Sequence, residues 1–416
     1  MKPSRWTLPV VVVGLIAVPL WWAWPGFAVG WRGAGIVLGW LGYGFIFASL
    51  VCMMREPRLA RWFGGLERMY AWHHVLGVWA YVFLLAHPLA LAADWLPDAP
   101  DYAWSVLSPA RQDLAGWLGW AALLCLMAGL GSALSARLSY SAWRWLHGLL
   151  ALSVPLGLAH LVALGITDWL LWMPVLALGV LLWRVLRSDV GLGALPHVVS
   201  AVSRPARDIV ELTLKPMARG VRARPGQFIL VAFFEGPRFR GCHEYHPFTL
   251  THIAPDGSLR IGIKALGDCT RHIQSIEPGV AVRVQGAFGD FGAVEADKPA
   301  VWLAGGIGIA PFLALLRASP PARPVTLIYL YQSPADAAFV AELEALARQH
   351  TGVSLQTVVA DGGPPDLDAI LPASEVLVGR ECLLCGPPAL VSAAVHVLQS
   401  RGVPVGCIHY ERFDFR

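Results

Sequence analysis

At 416 residues the chain is long enough for two or three domains, and its charged fraction of 14% beside 56% hydrophobic residues is low for a water-soluble protein. A net charge of +4 over that length is too weak to argue for nucleic acid as a partner. Seven cysteines, an odd number and widely scattered, give no disulfide framework. Up to about Arg187 the sequence runs in long apolar stretches of Leu, Ala, Val, Trp and Gly, whereas Asp, Glu, Arg and Pro are spread regularly beyond it. A membrane half is joined to a water-soluble half.

Near-continuous apolar runs of bilayer-spanning length lie at about 8–28, 34–54, 70–93, 114–135, 143–165 and 168–187, which predicts six membrane helices. The first follows Lys2 and Arg5 as a signal peptide would, but its length and its Trp21, Trp22 and Trp24 argue for a retained span. If the helices alternate, Lys2, Arg5, Arg55, Arg58, Arg61 and Arg68 fall on one side, joined by Arg137, Arg144, Arg184 and Arg187. Asp94, Asp98, Asp101 and Asp113 populate the opposite long loop. The positive-inside rule then places both termini and the whole water-soluble half in the cytoplasm of a plasma-membrane protein.

Two of the predicted helices carry paired histidines, His73 with His87 and His147 with His160, fourteen and thirteen residues apart. An imidazole in hydrocarbon needs a partner or a metal. At about 1.5 Å rise per residue each pair spans roughly 20 Å, inside a hydrocarbon core of about 30 Å. Each helix can thus supply one ligand at each of two depths, His73 with His147 inside and His87 with His160 outside. A spacing of fourteen returns to nearly the same helix face, which favours His73 over the adjacent His74; a spacing of thirteen does not, and Pro155 between its members is a source of local rewinding. Bis-histidine ligation of low-spin haem is the common use of facing histidines in helical bundles.

Beyond a linker at 188–196, alternating segments such as His197–Val202, Asp208–Leu214, Arg224–Phe233, His246–Leu250 and Leu259–Lys264 read as short strands of a small antiparallel barrel. Gly267-Asp-Cys-Thr270 opens a helix predicted over Thr270–Ser275, a natural seat for a pyrophosphate to which Lys264 adds a cation. The apolar strand from Ala300 runs into Gly305-Gly306-Ile-Gly308-Ile-Ala310-Pro311, a glycine turn and helix start of the kind that lets phosphate approach backbone N–H groups. Further β and α patterns complete a doubly wound α/β domain. Cys382 and Cys385 have dithiol spacing but lie in an apolar strand, and Cys385 before Gly386-Pro387 reads as a small residue bordering the ligand crevice.

Together these motifs resemble the transmembrane ferric reductase and NADPH oxidase flavocytochromes over nearly the whole chain. The resemblance implies a di-haem membrane domain at 1–190, a ferredoxin-reductase-like FAD barrel at 196–295 and an NAD(P)-binding α/β domain at 296–416. It makes His73, His87, His147 and His160 ligands of two b-type haems, with the 14 and 13 spacings tolerated. His246-Pro247-Phe248-Thr249 is similar to the family's flavin motif, and Gly267-Asp-Cys-Thr270 to its flavin-phosphate segment. Gly305, Gly306, Gly308, Ala310 and Pro311, with Cys385-Gly386-Pro387, are similar to its motifs for NADPH or NADH. The closing Tyr410-Glu-Arg-Phe413 resembles the segment whose aromatic covers the isoalloxazine ring, Phe413 first and Phe415 as the alternative. One departure concerns the nucleotide: many NADPH-preferring relatives carry an Arg after the strand equivalent to 327–331, and Tyr331-Gln-Ser-Pro334 has none, leaving Ser333 as the polar donor. The implied function is electron transfer from NAD(P)H through FAD and two haems to an outer acceptor. That acceptor is dioxygen in an oxidase, a ferric chelate in a metalloreductase, or a partner redox protein in a pure relay.

Overall fold

The computed structural model describes residues 29–133, 140–166, 169–293 and 298–411, with isolated residues 14, 17 and 21. Contacts group them into two compact units. One holds the described residues up to Met54 with Trp62–Gly64 and Arg68–Val190; the other holds Arg55–Arg61, Gly65–Glu67 and those from Gly191 onward.

The first unit is built from helices α1 (Trp31–Cys52), α2 (Leu66–Ala93), α3 (Leu114–Ala133), α4 (Tyr140–Ala163) and α5 (Trp172–Arg184). Four of them, α1 to α4, are long and apolar enough to cross a membrane. Of the six predicted spans, that at 8–28 lies outside the described residues. The sixth is a 13-residue α-helix, α5, continued by a π-helical turn at Val185–Asp189. Because lipid is as apolar as a leucine side chain, such helices associate where small residues let backbones approach. Gly35, Gly39 and Gly42 form such a face on α1: a Cβ at Gly35 would stand 2.8 Å from Leu91 of α2, and one at Gly42 would overlap Leu84. Trp40, Tyr43 and Phe47 of α1 pack with Val154 of α4 and with Met173, Ala177 and Leu181 of α5. Helix α4 runs unbroken through Pro155, and the Tyr43 hydroxyl donates to the Val154 carbonyl at 2.6 Å.

The second unit begins with six antiparallel strands: β1 (Leu195–Ala206), β2 (Ile209–Pro216), β3 (Phe228–Phe233), β4 (His246–Ile253), β5 (Leu259–Lys264) and β6 (Ala281–Phe288). They close into a barrel in the order β1-β2-β5-β4-β3-β6, with β6 returning to β1. The period-two pattern is the cause: Leu212, Leu214, Leu259, Ile261 and Ile263 all point into one dry core. Helix α6 (Asp268–Ile273) follows β5.

A parallel sheet follows, of β7 (Ala300–Gly305), β8 (Val325–Tyr331), β9 (Val353–Val359), β10 (Glu381–Cys385) and β11 (Ile408–Glu411), ordered β11-β10-β7-β8-β9. Every residue of β7 and β10 is buried, as expected of strands covered on both faces by helices. Among those helices are α7 (Ala310–Ala318), α8 (Val340–Gln349) and α9 (Pro388–Ser400). The chain moves outward from β7 to β8 and β9, then crosses back to β10 and β11, so the order reverses between β7 and β10. Ligands of open α/β sheets bind at such a switch point.

One sequence reading is corrected here. Cys242 and Cys269 are joined by a disulfide, with Cα atoms 5.9 Å apart across a sequence separation of 27. Scatter along a chain does not measure distance in a closed barrel.

Candidate functional site

The intramembrane histidines are held in a repeated way. His87 turns Nδ1 to the Gly35 carbonyl at 2.7 Å, and a Cβ on Gly39, one turn further along α1, would meet its ring at 3.0 Å. His160 turns Nδ1 to the Ala115 carbonyl at 2.7 Å, and a Cβ on Gly119, one turn along α3, would meet its ring at 3.0 Å. A carbonyl only accepts, so Nδ1 carries the proton and Nε2 keeps the lone pair that an axial ligand needs. At the other depth His73 Nδ1 faces Ser49 of α1, with Oγ at 2.7 Å and the carbonyl at 3.2 Å. His147 instead stacks on Trp143 at 5.0 Å, and its Nδ1 has no hydrogen-bond partner among the described residues.

The His73 and His147 rings stand 6.3 Å apart between centroids. Two metal–nitrogen bonds of about 2.0 Å, with roughly 1.1 Å from each nitrogen to its ring centre, require about 6.2 Å, so the spacing fits two ligands of one haem iron. His74 is exposed while His73 is half-buried. Trp79 and Trp145 are 49% and 80% exposed.

In the barrel, Phe248 and Thr249 of β4 are buried, Pro247 pairs with Leu230 of β3, and Thr249 lies opposite Phe228. The Thr249 hydroxyl is buried without a hydrogen-bond partner among the described residues. Burial lowers the His246 imidazole below its ordinary pKa, against the pull of the Glu244 carboxylate. The residue that sequence reasoning missed is Glu411. It ends β11 opposite Cys385, it is buried, and its Oε2 has no partner among the described residues. Its carboxylate and the Phe228 ring both flank Gly289, where an added Cβ would meet them at 2.7 and 3.3 Å. Two unsatisfied buried oxygens thus border one region, a place for a polar ligand. The sequence signal for Glu411 was its place in Tyr410-Glu-Arg-Phe413, where only the aromatic was given a role.

The flavin-phosphate segment differs from expectation in detail. Its helix starts at Asp268 and not at Thr270, and the Thr270 hydroxyl accepts from the N–H groups of Leu266 and Gly267, both at 2.9 Å. Those donors are committed to the turn itself. Lys264 ends β5 with its Nζ 3.9 Å from where a Cβ on Gly306 would lie, so the barrel cation reaches the nucleotide turn. Phe413 and its alternative Phe415 lie outside the described residues.

At the switch point Cys385 is in register with Ala304, which sets the turn after β10 beside the turn after β7. Gly306 has φ of 55°, and a Cβ on Gly308 would overlap the Cys385 carbonyl. Here the missing side chains let two turns pack on each other. Helix α7 starts at Ala310-Pro311. Burial pushes the Cys382 thiol up to about 12 and the Cys385 thiol well above its ordinary value, so neither is a ready thiolate. After β8 the Ser333 hydroxyl donates to the Asp336 carboxylate at 2.6 Å.

Residues 38–158 match the family described as ferric reductase like transmembrane component, and residues 197–285 match an FAD-binding domain family. The reductase component of propane 2-monooxygenase from Rhodococcus jostii (strain RHA1) is 29% identical over 237 residues, which are 52% of this chain and 62% of that protein. An NADPH oxidoreductase from Mycobacterium tuberculosis (strain ATCC 25618 / H37Rv) is 30% identical over 228 residues, 52% of this chain and 59% of that protein. The chain therefore spans less than two thirds of the length of either relative. Among solved structures, the Amycolatopsis cytochrome P450 reductase GcoB is 26% identical with a TM-score of 0.45, covering 53% of this chain and 69% of that one. With a ferric-reductase-like transmembrane component followed by an FAD-binding domain, the chain has the ferric reductase and NADPH oxidase-like flavocytochrome architecture.

Proposed function

We propose that the protein carries electrons from cytoplasmic NADH through FAD and two b-type haems to dioxygen on the outer face of the plasma membrane. The observation that carries the reading is the matched set of imidazoles, three with Nδ1 turned to oxygen atoms of a neighbouring helix and one pair at the spacing of two axial ligands. FAD, when bound, would supply the change from two-electron to one-electron chemistry, and haem would supply single-electron transfer. His73 and His147 would hold the inner iron, and His87 and His160 the outer. Thr249 and Glu411 would offer hydrogen bonds to the flavin, Lys264 would supply a cation for its phosphates or for the adjacent nucleotide turn, and the turns at Gly305–Gly308 and Cys385–Pro387 would seat the nicotinamide nucleotide.

NADH is preferred because the turn after β8 presents a carboxylate and no cation. With Ser333 bonded to Asp336, a 2′-phosphate would meet negative charge, whereas a ribose hydroxyl can donate to it. Dioxygen is preferred to a ferric chelate because the acidic outer loop is partly committed to structure. Asp94 accepts from the Arg32 N–H at 3.0 Å, and Asp113 accepts from the Gly116 N–H at 2.8 Å. A second reading, a relay to a partner redox protein, is favoured by the relatives whose names make them reductase components of monooxygenases.

The test is to purify the protein in detergent, add NADH or NADPH, and follow haem reduction together with dye reduction sensitive to superoxide dismutase. We expect full haem reduction, faster with NADH, and dismutase-sensitive dye reduction. Folded protein with no haem spectrum refutes the reading; haem reduction without superoxide assigns the acceptor to a protein or a chelate.

A further inference from the structure

The Cys242 and Cys269 sulfur atoms have no part in the electron relay. Cys242 and Cys269 are disulfide-bonded, and His246 brings a ring nitrogen, so that the three ligand-type atoms lie within 4.8 Å of one another. Cys242 is in the loop before β4, four residues ahead of His246, and Cys269 is in α6 between Gly267 and Thr270. The bond therefore ties the segment that begins at His246 to the segment 267–270. Weaker contacts fasten the same loop to the same region: His272 Nε2 donates to the Arg240 carbonyl at 2.8 Å, Phe239 stacks on His272 at 4.8 Å, and Arg238 pairs with Glu277 at 3.0 Å. Both cysteines are half-buried, within reach of a small reagent.

We propose that Cys242 and Cys269 form a reversible disulfide, made by a hydroperoxide and opened by a dithiol, that controls how fast FAD leaves the barrel. The proposal rests on the reading of 246–249 and 267–270 as flavin-binding segments. One thiolate attacks hydrogen peroxide, its sulfur becoming a sulfenic acid as the O–O bond breaks and hydroxide leaves, taking up the proton that the thiol released to become water; the second thiol displaces the sulfenic oxygen as water and the S–S bond forms. In sum two thiols lose two electrons and two protons, and one peroxide becomes two waters. A dithiol reverses this by exchange, ending as a disulfide itself. The cross-link removes open arrangements of the loop relative to α6. Without it only hydrogen bonds, stacking and an exposed ion pair hold the loop, and FAD escapes more often. In the cytoplasm thiols are kept reduced, so the bond forms there only when an oxidant arrives.

The test uses the full-length protein in detergent, loaded with FAD and treated with hydrogen peroxide or dithiothreitol. Peptide mass mapping reads the bond, and flavin fluorescence after dilution reads FAD release. We expect a peroxide-dependent cross-link between the peptides of 242 and 269 that dithiothreitol removes, with FAD release several-fold slower in the oxidised protein. Cys242→Ser should release FAD at the reduced rate under both treatments. The idea is overturned if no cross-link forms in folded protein or if release is equal in both states. It is also overturned if the reduced protein carries one zinc ion per chain by metal analysis, which would make Cys242, His246 and Cys269 a metal site. Absence of bound FAD in both states overturns the flavin assignment itself, while the mass map still reports the bond.

Discussion

A hydrogen atom at Gly119 decides where the His160 ring can lie. Any Cβ there starts 3.0 Å from that ring, tighter than ordinary contact, and a branched side chain adds atoms that the ring must yield to. Gly119→Val should therefore displace His160, removing about half of the haem absorbance per flavin while NADH still reduces the flavin. Unchanged haem content would show that Gly119 does not set the ligand. Glu411 poses a different problem, because burial first, helped by the Glu67 and then the Asp290 carboxylate, raises its pKa well above the usual carboxylate range. Below about pH 4.3 the group is protonated in both folded and unfolded chains and costs nothing; as pH rises from there through the raised value, the unfolded chain ionises first and stability falls. Glu411→Gln should melt higher than the natural protein at neutral pH, with the difference vanishing toward pH 4. Equal pH slopes in the two proteins would refute this. The four histidines were legible from spacing and hydropathy alone, whereas Gly39 and Gly119 looked like any other small residues in apolar helices. Their role depends on which neighbour the packing presents.

Between elements, one arginine connects barrel and sheet. Arg317 of α7 grips Glu342 of α8 with two bonds of 2.7 Å, reaches Glu211 of β2 at 2.7 Å, and donates to the Thr251 carbonyl of β4 at 3.1 Å. Thr251 Oγ1 donates in turn to Glu211 at 2.6 Å. Arg317 and Glu211 side chains are each 8% exposed, so removing the cation leaves a buried carboxylate with only the Thr251 hydroxyl and, at 4.0 Å, Arg260 to compensate it. Arg317→Met should destabilise the reductase half by about 3 to 5 kcal/mol in chemical denaturation. A loss under about 1 kcal/mol would mean that water replaces the arginine. The strands and the glycine-turn helix behind this network were readable from periodicity and turn residues. The network was not, because Glu211, Thr251, Arg317 and Glu342 are far apart in the chain and share no motif.

At the scale of the whole molecule, the step from apolar runs to regularly charged sequence near Arg187 anticipates the change of unit after Val190. Hydropathy placed the spans well because a bilayer requires continuous apolar length, and four of the six expected are present as long helices. The barrel and the parallel sheet, separate in the sequence reading, fall in one compact unit, as the ionic network between them makes understandable.

Sequence by itself determined the elements and their chemistry: helices where apolar runs reach bilayer length, strands where side chains alternate, turns where glycine cluster, and histidines where hydrocarbon should have none. These are local properties, set by periodicity, transfer energy and backbone freedom within a few residues. The tertiary structure alone decided what met across the fold: Gly39 and Gly119 against the rings of His87 and His160, the two glycine turns on each other, Cys242 against Cys269, and Glu411 buried next to the barrel. Such meetings depend on strand order, barrel closure and helix packing, which bring together residues tens to hundreds of positions apart and leave no trace in local spacing.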